Sequence, residues 1–217
     1  MNDSDILEAL LHEAEAKAKR RHLLGIVGAP GAGKSTFSHY LVNAVKAKLG
    51  PAAAVVVPMD GFHMTNAKLR ALGIWELKGI PQSFEAQSFV DLLLKLKEGS
   101  EPVACPTFDR AIEEPTDGGV LVEPEHKLVV IEGNYLLLKD EPWARIKEIL
   151  DDCWFLDSDI DSIEPRLLER HIAGGRTAAQ ARIKVDSTDL PNARLIHESA
   201  CRASRVVKLP LLQDATT

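Results

Sequence analysis

The sequence predicts an α/β fold: a five-stranded parallel sheet covered by helices on both faces. Runs such as VVV and LVVI are uniformly apolar, as strands buried on both faces require. Stretches with helical spacing lie between them, and strands that alternate with helices form parallel sheets. The chain has 217 residues, 45% of them hydrophobic and 27% charged, which suits one domain with a substantial core.

Taken in order, Ser4 to Arg20 has helical spacing. Ile6, Leu7, Leu10 and Leu11 mark one face, and Lys17, Lys19, Arg20 and Arg21 crowd the C-terminal end, where cations suit the helix dipole. A helix is therefore expected over 4–20. HLLGIVG reads as the first strand, and KSTFSHYLVNAVKAKLG as a helix stopped by Gly50 and Pro51. AAAVVVPM is the second strand, HKLVVIEGN the third, DCWFLD the fourth and SRVVKLP the fifth. Further helices are expected over Ser83–Lys97, Trp143–Leu150 and most of Asp161–Ala203. The segment from Gly99 to Glu125, with Pro102, Pro106, Pro115 and Pro124, has no helical period and is expected as an excursion over the carboxyl edge of the sheet. There are no repeats, low-complexity tracts or linkers, and 1–217 is expected to be a single domain.

Several function classes are disfavoured. A formal net charge of −6 argues against a general nucleic-acid binder, though not against a basic pocket for a small anion. Cys105, Cys153 and Cys201 are widely spaced and suggest neither a disulfide framework nor a metal knuckle. There is no basic n-region of a signal peptide and no run of the roughly 18 apolar residues that a membrane span needs. A cytoplasmic protein is expected, and the N-terminal helix could serve a homodimer.

The most specific motif is GAPGAGKS, Gly28 to Ser35, which matches G-x-x-x-x-G-K-[ST] after a strand and at the start of a helix. In this P-loop pattern the backbone N–H groups of Gly28, Ala29, Gly31, Ala32 and Gly33 wrap a phosphate, aided by the helix N-terminus. Lys34 reaches the β- and γ-phosphates of ATP, the Ser35 hydroxyl can ligate Mg²⁺, and Thr36 lies close by. The dinucleotide pattern fails because Thr36 stands where its third glycine is required. No N-K-x-D or L-S-G-G-Q element points to a GTPase or an ABC-type ATPase. Glu132 ends the third strand in LVVIEGN, where a carboxylate can serve Mg²⁺ or its waters, and Gly133 would permit a close approach.

Five stretches, GAPGAGKST, PMDGFHM, PTFDR, VVIEGNYLLL and RLLERHIAGGRT with DLPNARLI, together resemble the phosphoribulokinase/uridine kinase family of P-loop kinases, which includes prokaryotic pantothenate kinases. The resemblance spans about residues 23–209. Uridine kinases show D-S-F-Y where this chain has Asp60-Gly-Phe-His63, and an aromatic-Asp-Phe motif followed by histidine where it has Phe108-Asp-Arg-Ala. DGFHM with PTFDRAIEEP is most similar to the bacterial branch labelled nucleoside/nucleotide kinase-like or fructose transport system kinase. The resemblance implies a P-loop NTPase fold with a helical lid over about 161–188, and phosphoryl transfer from ATP, with Mg²⁺, to an alcohol.

It further implies that Asp60 is the base for the acceptor hydroxyl, with Gly61 clearing space for the acceptor. His63, Phe108, Asp109 and Arg110 are implied as acceptor contacts, together with Glu132 and Arg166. Arg166 and Arg170 share a helix face, and Arg176 follows a Gly-Gly hinge candidate, so the lid can bring cations to the transferring phosphoryl group. Arg170 and Arg176, with Lys34 and Asp60, form the expected catalytic set. DLPNARLI is expected near the adenine, and Lys78 lies in LKGIPQSFE, a loop that could also face the acceptor, but is read as a solvated lysine. The small-molecule acceptor is expected to be a sugar such as fructose; a uridine-like nucleoside and pantothenate are the alternatives within the family, and a non-catalytic ATP-binding regulator is the alternative outside it.

Overall fold

The sheet is built around β1 (His22–Val27), all six residues of which are buried. The computed structural model describes residues 21–208, so the helix expected over 4–20 lies outside the described residues. After β1 come α1 (Lys34–Leu49), β2 (Ala54–Pro58), a 3₁₀ turn (Met59–Phe62), α2 (Asn66–Ala71) and α3 (Ala86–Glu98). The hairpin strands β3 (Val103–Asp109) and β4 (Glu114–Val122) follow, then β5 (Leu128–Gly133), α4 (Ile146–Ile149) and β6 (Asp152–Asp157). The chain continues through α5 (Ile160–Ala173), α6 (Ala178–Lys184), α7 (Leu190–Glu198) and β7 (Arg205–Lys208).

The five core strands run in the order β2-β5-β1-β6-β7, every pair parallel. This is the expected five-stranded parallel sheet, with β1 at its centre. Alternation along the strands divides the core in two. Leu24, Ile26, Val56, Val130, Trp154 and Leu156 face α1 and α5, meeting Phe37, Leu41, Val45, Ile163 and Leu167. Leu23, Val27, Val57, Val129, Ile131 and Phe155 point the other way, toward Phe89 and Leu93 of α3 and Trp143 and Ile146 near α4. Arg21 is buried beside this face, where its guanidinium donates to the carbonyls of Leu96 (2.9 Å), Glu123 (2.7 Å) and His126 (3.2 Å).

Three expectations change. The proline-bearing segment 99–125 is an antiparallel hairpin, paired from Val103↔Val122 to Asp109↔Glu114 with a bulge between Cys105 and Thr107. Its prolines are compatible with a two-stranded ribbon because ribbon edges leave half of the N–H groups unpaired. The long helix expected toward Ala203 is three helices. Gly174 and Gly175 break it first, and a π-helical turn over Val185–Asp189 joins α6 to α7. Trp143–Leu150 is a 3₁₀ turn followed by four α-helical residues. The helix α2 carries too little apolar periodicity to be foreseen; Thr65 caps it by accepting from Lys68 N–H (3.2 Å). Among the described residues no helix is long and apolar enough to cross a membrane.

Candidate active site

The exits of β1, β2 and β5, with the β3–β4 hairpin turn, face one cleft of about 1240 Å³. From β1 comes the phosphate loop, in which Gly31 and Gly33 have φ of +79° and +87°, values that side chains rarely tolerate. Lys34 opens α1 and bends back over the loop to donate to Ala29 O (3.0 Å). Burial pushes its ammonium down to about 8, against the upward pull of Glu132 and Asp60, while Arg170 and Arg110 push it further down. Residues from five separate segments therefore share one field, and both expected carboxylates act on the same lysine.

Glu132 ends β5, and Ser35 Oγ lies 2.9 Å and 2.8 Å from its two carboxylate oxygens. Burial holds this carboxyl above its usual range, while Lys34 and the Ser35 hydrogen bond act against the rise. A hydroxyl and a carboxylate together form a hard oxygen donor set of the kind Mg²⁺ accepts. Among the described residues no three His, Cys, Asp or Glu side chains form a metal cage. A divalent ion here would thus share its coordination with phosphate oxygens and water, the usual habit of Mg²⁺.

Asp60 sits in the 3₁₀ turn that leaves β2, and Arg110 Nη2 donates to its Oδ2 at 2.7 Å. Gly61 does not clear room for an acceptor. A Cβ there would lie 2.2 Å from Pro106 O, so this glycine is where the turn seats against β3. Gly133 likewise makes room for the Met59 side chain, which would stand 2.7 Å from an added Cβ, rather than for a ligand. His63 donates through Nδ1 to Asp60 O (2.8 Å) and packs between Phe84 and Phe108, with ring centroids 4.0 Å and 4.7 Å away. Its burial lowers the imidazole pKa. Lys78 Nζ and Arg110 Cζ stand 5.0 Å and 5.8 Å from the Phe108 ring centroid.

Asp60, His63, Phe108 and Arg110 are thus brought together. Asp109 is not: its carboxylate accepts from Ala111 N–H (2.8 Å) and caps the hairpin turn outside the cleft. Arg166 lines the cleft but reaches the phosphate loop, donating to Gly31 O (3.3 Å), because α5 crosses above that loop rather than above the acceptor side. Arg170 stands 4.0 Å from Asp189, and burial lowers its pKa. Arg176 donates to His171 Nδ1 (2.8 Å), whose Nε2–H donates to Asp189 (2.6 Å). His171, Asp189 and Lys184 also line the cleft without being expected there from the sequence, and so does Lys78, which the sequence reading leaves as a solvated lysine. The helical spacing of α5 marks His171 only as a helix residue, and nothing local distinguishes the two lysines from solvated ones. In DLPNARLI, Asn192 donates to Gly79 O (3.0 Å), a carbonyl that Tyr135 OH shares, which docks this segment on the 75–79 loop.

No protein-family profile matches the chain. A Schizosaccharomyces pombe protein provisionally named a uridine kinase is 30% identical over 208 residues, covering 93% of this chain and 88% of its own length. An uncharacterised Escherichia coli protein, YggC, is 30% identical over 94% of this chain and 86% of its own. Among solved structures, a Silicibacter protein provisionally described as a fructose transport system kinase superposes with a TM-score of 0.86 at 34% identity, over 95% of this chain and 99% of that one. The phosphate loop and parallel sheet of this chain, with its near full-length likeness to these proteins, lead to one conclusion: the chain belongs to the phosphoribulokinase/uridine kinase family of P-loop kinases.

Proposed function

We propose that the protein transfers the γ-phosphoryl group of ATP to a hydroxyl of a small polyhydroxy acceptor, a sugar, with Asp60 as the proton-accepting carboxylate. The observation that carries this reading is the meeting of Asp60 and Lys34 in one field. An acid at the exit of β2 acts on the ammonium that follows the phosphates in P-loop enzymes. Phosphoryl transfer depends mainly on positioning and charge stabilisation, and the cleft offers both.

In this reading the phosphate loop and Lys34 grip the β- and γ-phosphates. Ser35 and Glu132 are the residues that would hold Mg²⁺, whose charge offsets that of the phosphates when bound. The acceptor lies against Phe108 and His63, and Asp60 orients its hydroxyl and takes its proton as the bond to phosphorus forms. Arg110, paired with Asp60 at 2.7 Å, fixes the position of that carboxylate and can turn toward the phosphoryl group. Arg166 and Arg170 approach from the lid side, where they neutralise charge and exclude water. The sugar preference draws on the Silicibacter protein's description.

The test is ADP formation across a panel of sugars, nucleosides and pantothenate, followed by Asp60→Asn on the best acceptor. Turnover should fall by roughly 10²–10⁴-fold, the usual range for loss of general acid–base catalysis, with ATP affinity little changed. An Asn variant that turns over normally would remove Asp60 from the chemistry. If ATP binds and no acceptor yields ADP, the chain is an ATP-binding regulator instead.

A further inference from the structure

Once the phosphate-side groups are assigned, cations remain. Lys34, Arg166 and Arg170 adjoin the phosphate loop, and Arg110 is paired with Asp60. Lys78, Arg176 and Lys184 also line the cleft, yet none of them has a carboxylate within 4.0 Å among the described residues. Each is held by neutral acceptors alone. Lys78 Nζ donates to Asn66 Oδ1 (2.8 Å) and to Glu113 O; Lys184 Nζ donates to Lys78 O (2.7 Å) and Glu76 O (3.1 Å); Arg176 Nη1 donates to His171 Nδ1 (2.8 Å). Two of three N–H donors are engaged on each lysine, and one of five on the arginine, so every one of them keeps donors for a ligand.

The surrounding acids temper this charge without pairing with it. Both Glu114 oxygens accept from Asn66 N–H at 3.1 Å. Asp189 is engaged by His171. Glu113 and Glu76 are exposed and touch the lysines only through their carbonyls. Burial lowers both lysines; Glu113 and Glu114 pull Lys78 back up and Asp189 does the same for Lys184, while the Arg176 charge lowers both, so Arg176 opposes each lysine in a space where the acids act only from a distance. Half-buried like charges are costly unless an anion joins them. A neutral hexose or nucleoside would bring none.

We propose that the acceptor sugar is itself an anion, bearing a phosphate or carboxylate group that Lys78, Arg176 and Lys184 hold jointly while its hydroxyl faces Asp60. The proposal rests on the kinase reading of the cleft. It would make charge, rather than ring shape alone, the basis of acceptor choice, since a site built to pair a charged group rejects the analogue that lacks it.

The experiment compares D-fructose, fructose 6-phosphate, D-gluconate and uridine as acceptors in an ADP-release assay. One of the two anions should exceed fructose and uridine by at least about tenfold in kcat/KM, and which one does so identifies the group as phosphate or carboxylate. Lys78→Met should raise the KM for that anion by roughly tenfold or more at unchanged KM for ATP, and Lys78→Arg should restore most of it. A residue that merely tethers the 75–79 loop would lower Tm without separating the two KM values. Lys184→Met, checked by its Tm, should repeat the pattern. Neutral acceptors used as well as their anionic counterparts would overturn the proposal, as would an unchanged anion KM in Lys78→Met. Should no acceptor release ADP, the kinase reading fails separately. Calorimetric titration of fructose 6-phosphate and gluconate onto the protein with a non-hydrolysable ATP analogue then decides the matter. Binding lost in Lys78→Met sustains the anion site, and absence of binding by either compound refutes it.

Discussion

Replacing Gly61 with alanine separates the positioning of Asp60 from its chemistry. The added methyl would stand 2.2 Å from Pro106 O, 2.4 Å from Pro106 C and 2.8 Å from Thr107 N, all backbone atoms that no rotamer change can move. Ordinary contact begins near 3.4 Å, so the 3₁₀ turn and β3 must separate by about 1 Å. Overpacking of this kind costs about 1–3 kcal/mol, which in a chain of this size lowers Tm by roughly 2–4 °C per kcal/mol. The functional effect should be larger. Asp60 is the preceding residue, its partner Arg110 lies on the hairpin turn, and a shift of about 1 Å in a reacting group can cost on the order of 10²-fold in rate. Turnover of Gly61→Ala should fall by about that factor while ATP affinity, set by the phosphate loop, stays within about twofold. Gly118→Ala is the control. At φ +67° it strains the hairpin backbone, but no atom lies within 4 Å of its Cβ, so it should lower Tm slightly and leave turnover alone. If Gly61→Ala keeps both its Tm and its turnover, the hairpin does not seat the turn and the positioning argument fails.

Lys34 should make nucleotide binding proton-linked. It lies near 8 in the free cleft and phosphates favour its charged form, so ATP binding should take up a large fraction of one proton at about pH 9 and little at about pH 6. Calorimetry in buffers of different ionisation enthalpy measures this, and the same uptake in Lys34→Arg would assign it elsewhere. Arg170→Ala should lower turnover by roughly tenfold or more with a smaller effect on ATP affinity, because lid cations matter most when charge shifts in the transition state. A loss of Tm alone would make it a surface residue. Arg21→Met should cost about 2–4 kcal/mol, since it strips hydrogen bonds from the carbonyls of Leu96, Glu123 and His126, and should leave kcat unchanged; a chemical denaturation curve reads the first and a turnover assay the second.

The parallel sheet was legible because each core strand announces itself locally. Uniform apolar runs mean burial on both faces, and such runs in the central strands, with helical spacing between them, leave little choice of architecture. The hairpin was not legible. Thr107 and Thr116 face one another and share a hydroxyl contact of 3.0 Å, but β3 and β4 have half-exposed surfaces and prolines, the same composition a loop would have. The π-turn at 185–189 was hidden for a different reason. It changes the backbone bonding to i→i+5 over a single turn, too short a stretch to register as a break in the apolar pattern.

The phosphate loop and the acceptor side differ in the same way. Gly28 to Thr36 is nine consecutive residues whose geometry is fixed by their own glycines and by the helix they open, so a pattern in the sequence is a pattern in space. The acceptor side has no such continuity. Asp60 meets Arg110 across 50 residues, and Lys184 reaches the Lys78 carbonyl across 106, contacts that exist only because the hairpin folds onto the β2 turn and the lid folds onto the 75–79 loop. Family resemblance supplied Asp60 and Arg110, since their motifs are short and quotable. It could not supply Lys78 or Lys184, which belong to no motif. Those two lysines nevertheless differ from solvated ones in a physical respect: each has traded water for carbonyls and an amide, groups that satisfy donors without neutralising charge. That distinction is invisible to any reading of spacing or composition. It is also the distinction that would let one P-loop scaffold accept acceptors of different charge, because the phosphate loop and the Asp60 turn can stay fixed while lid and loop set the potential opposite them.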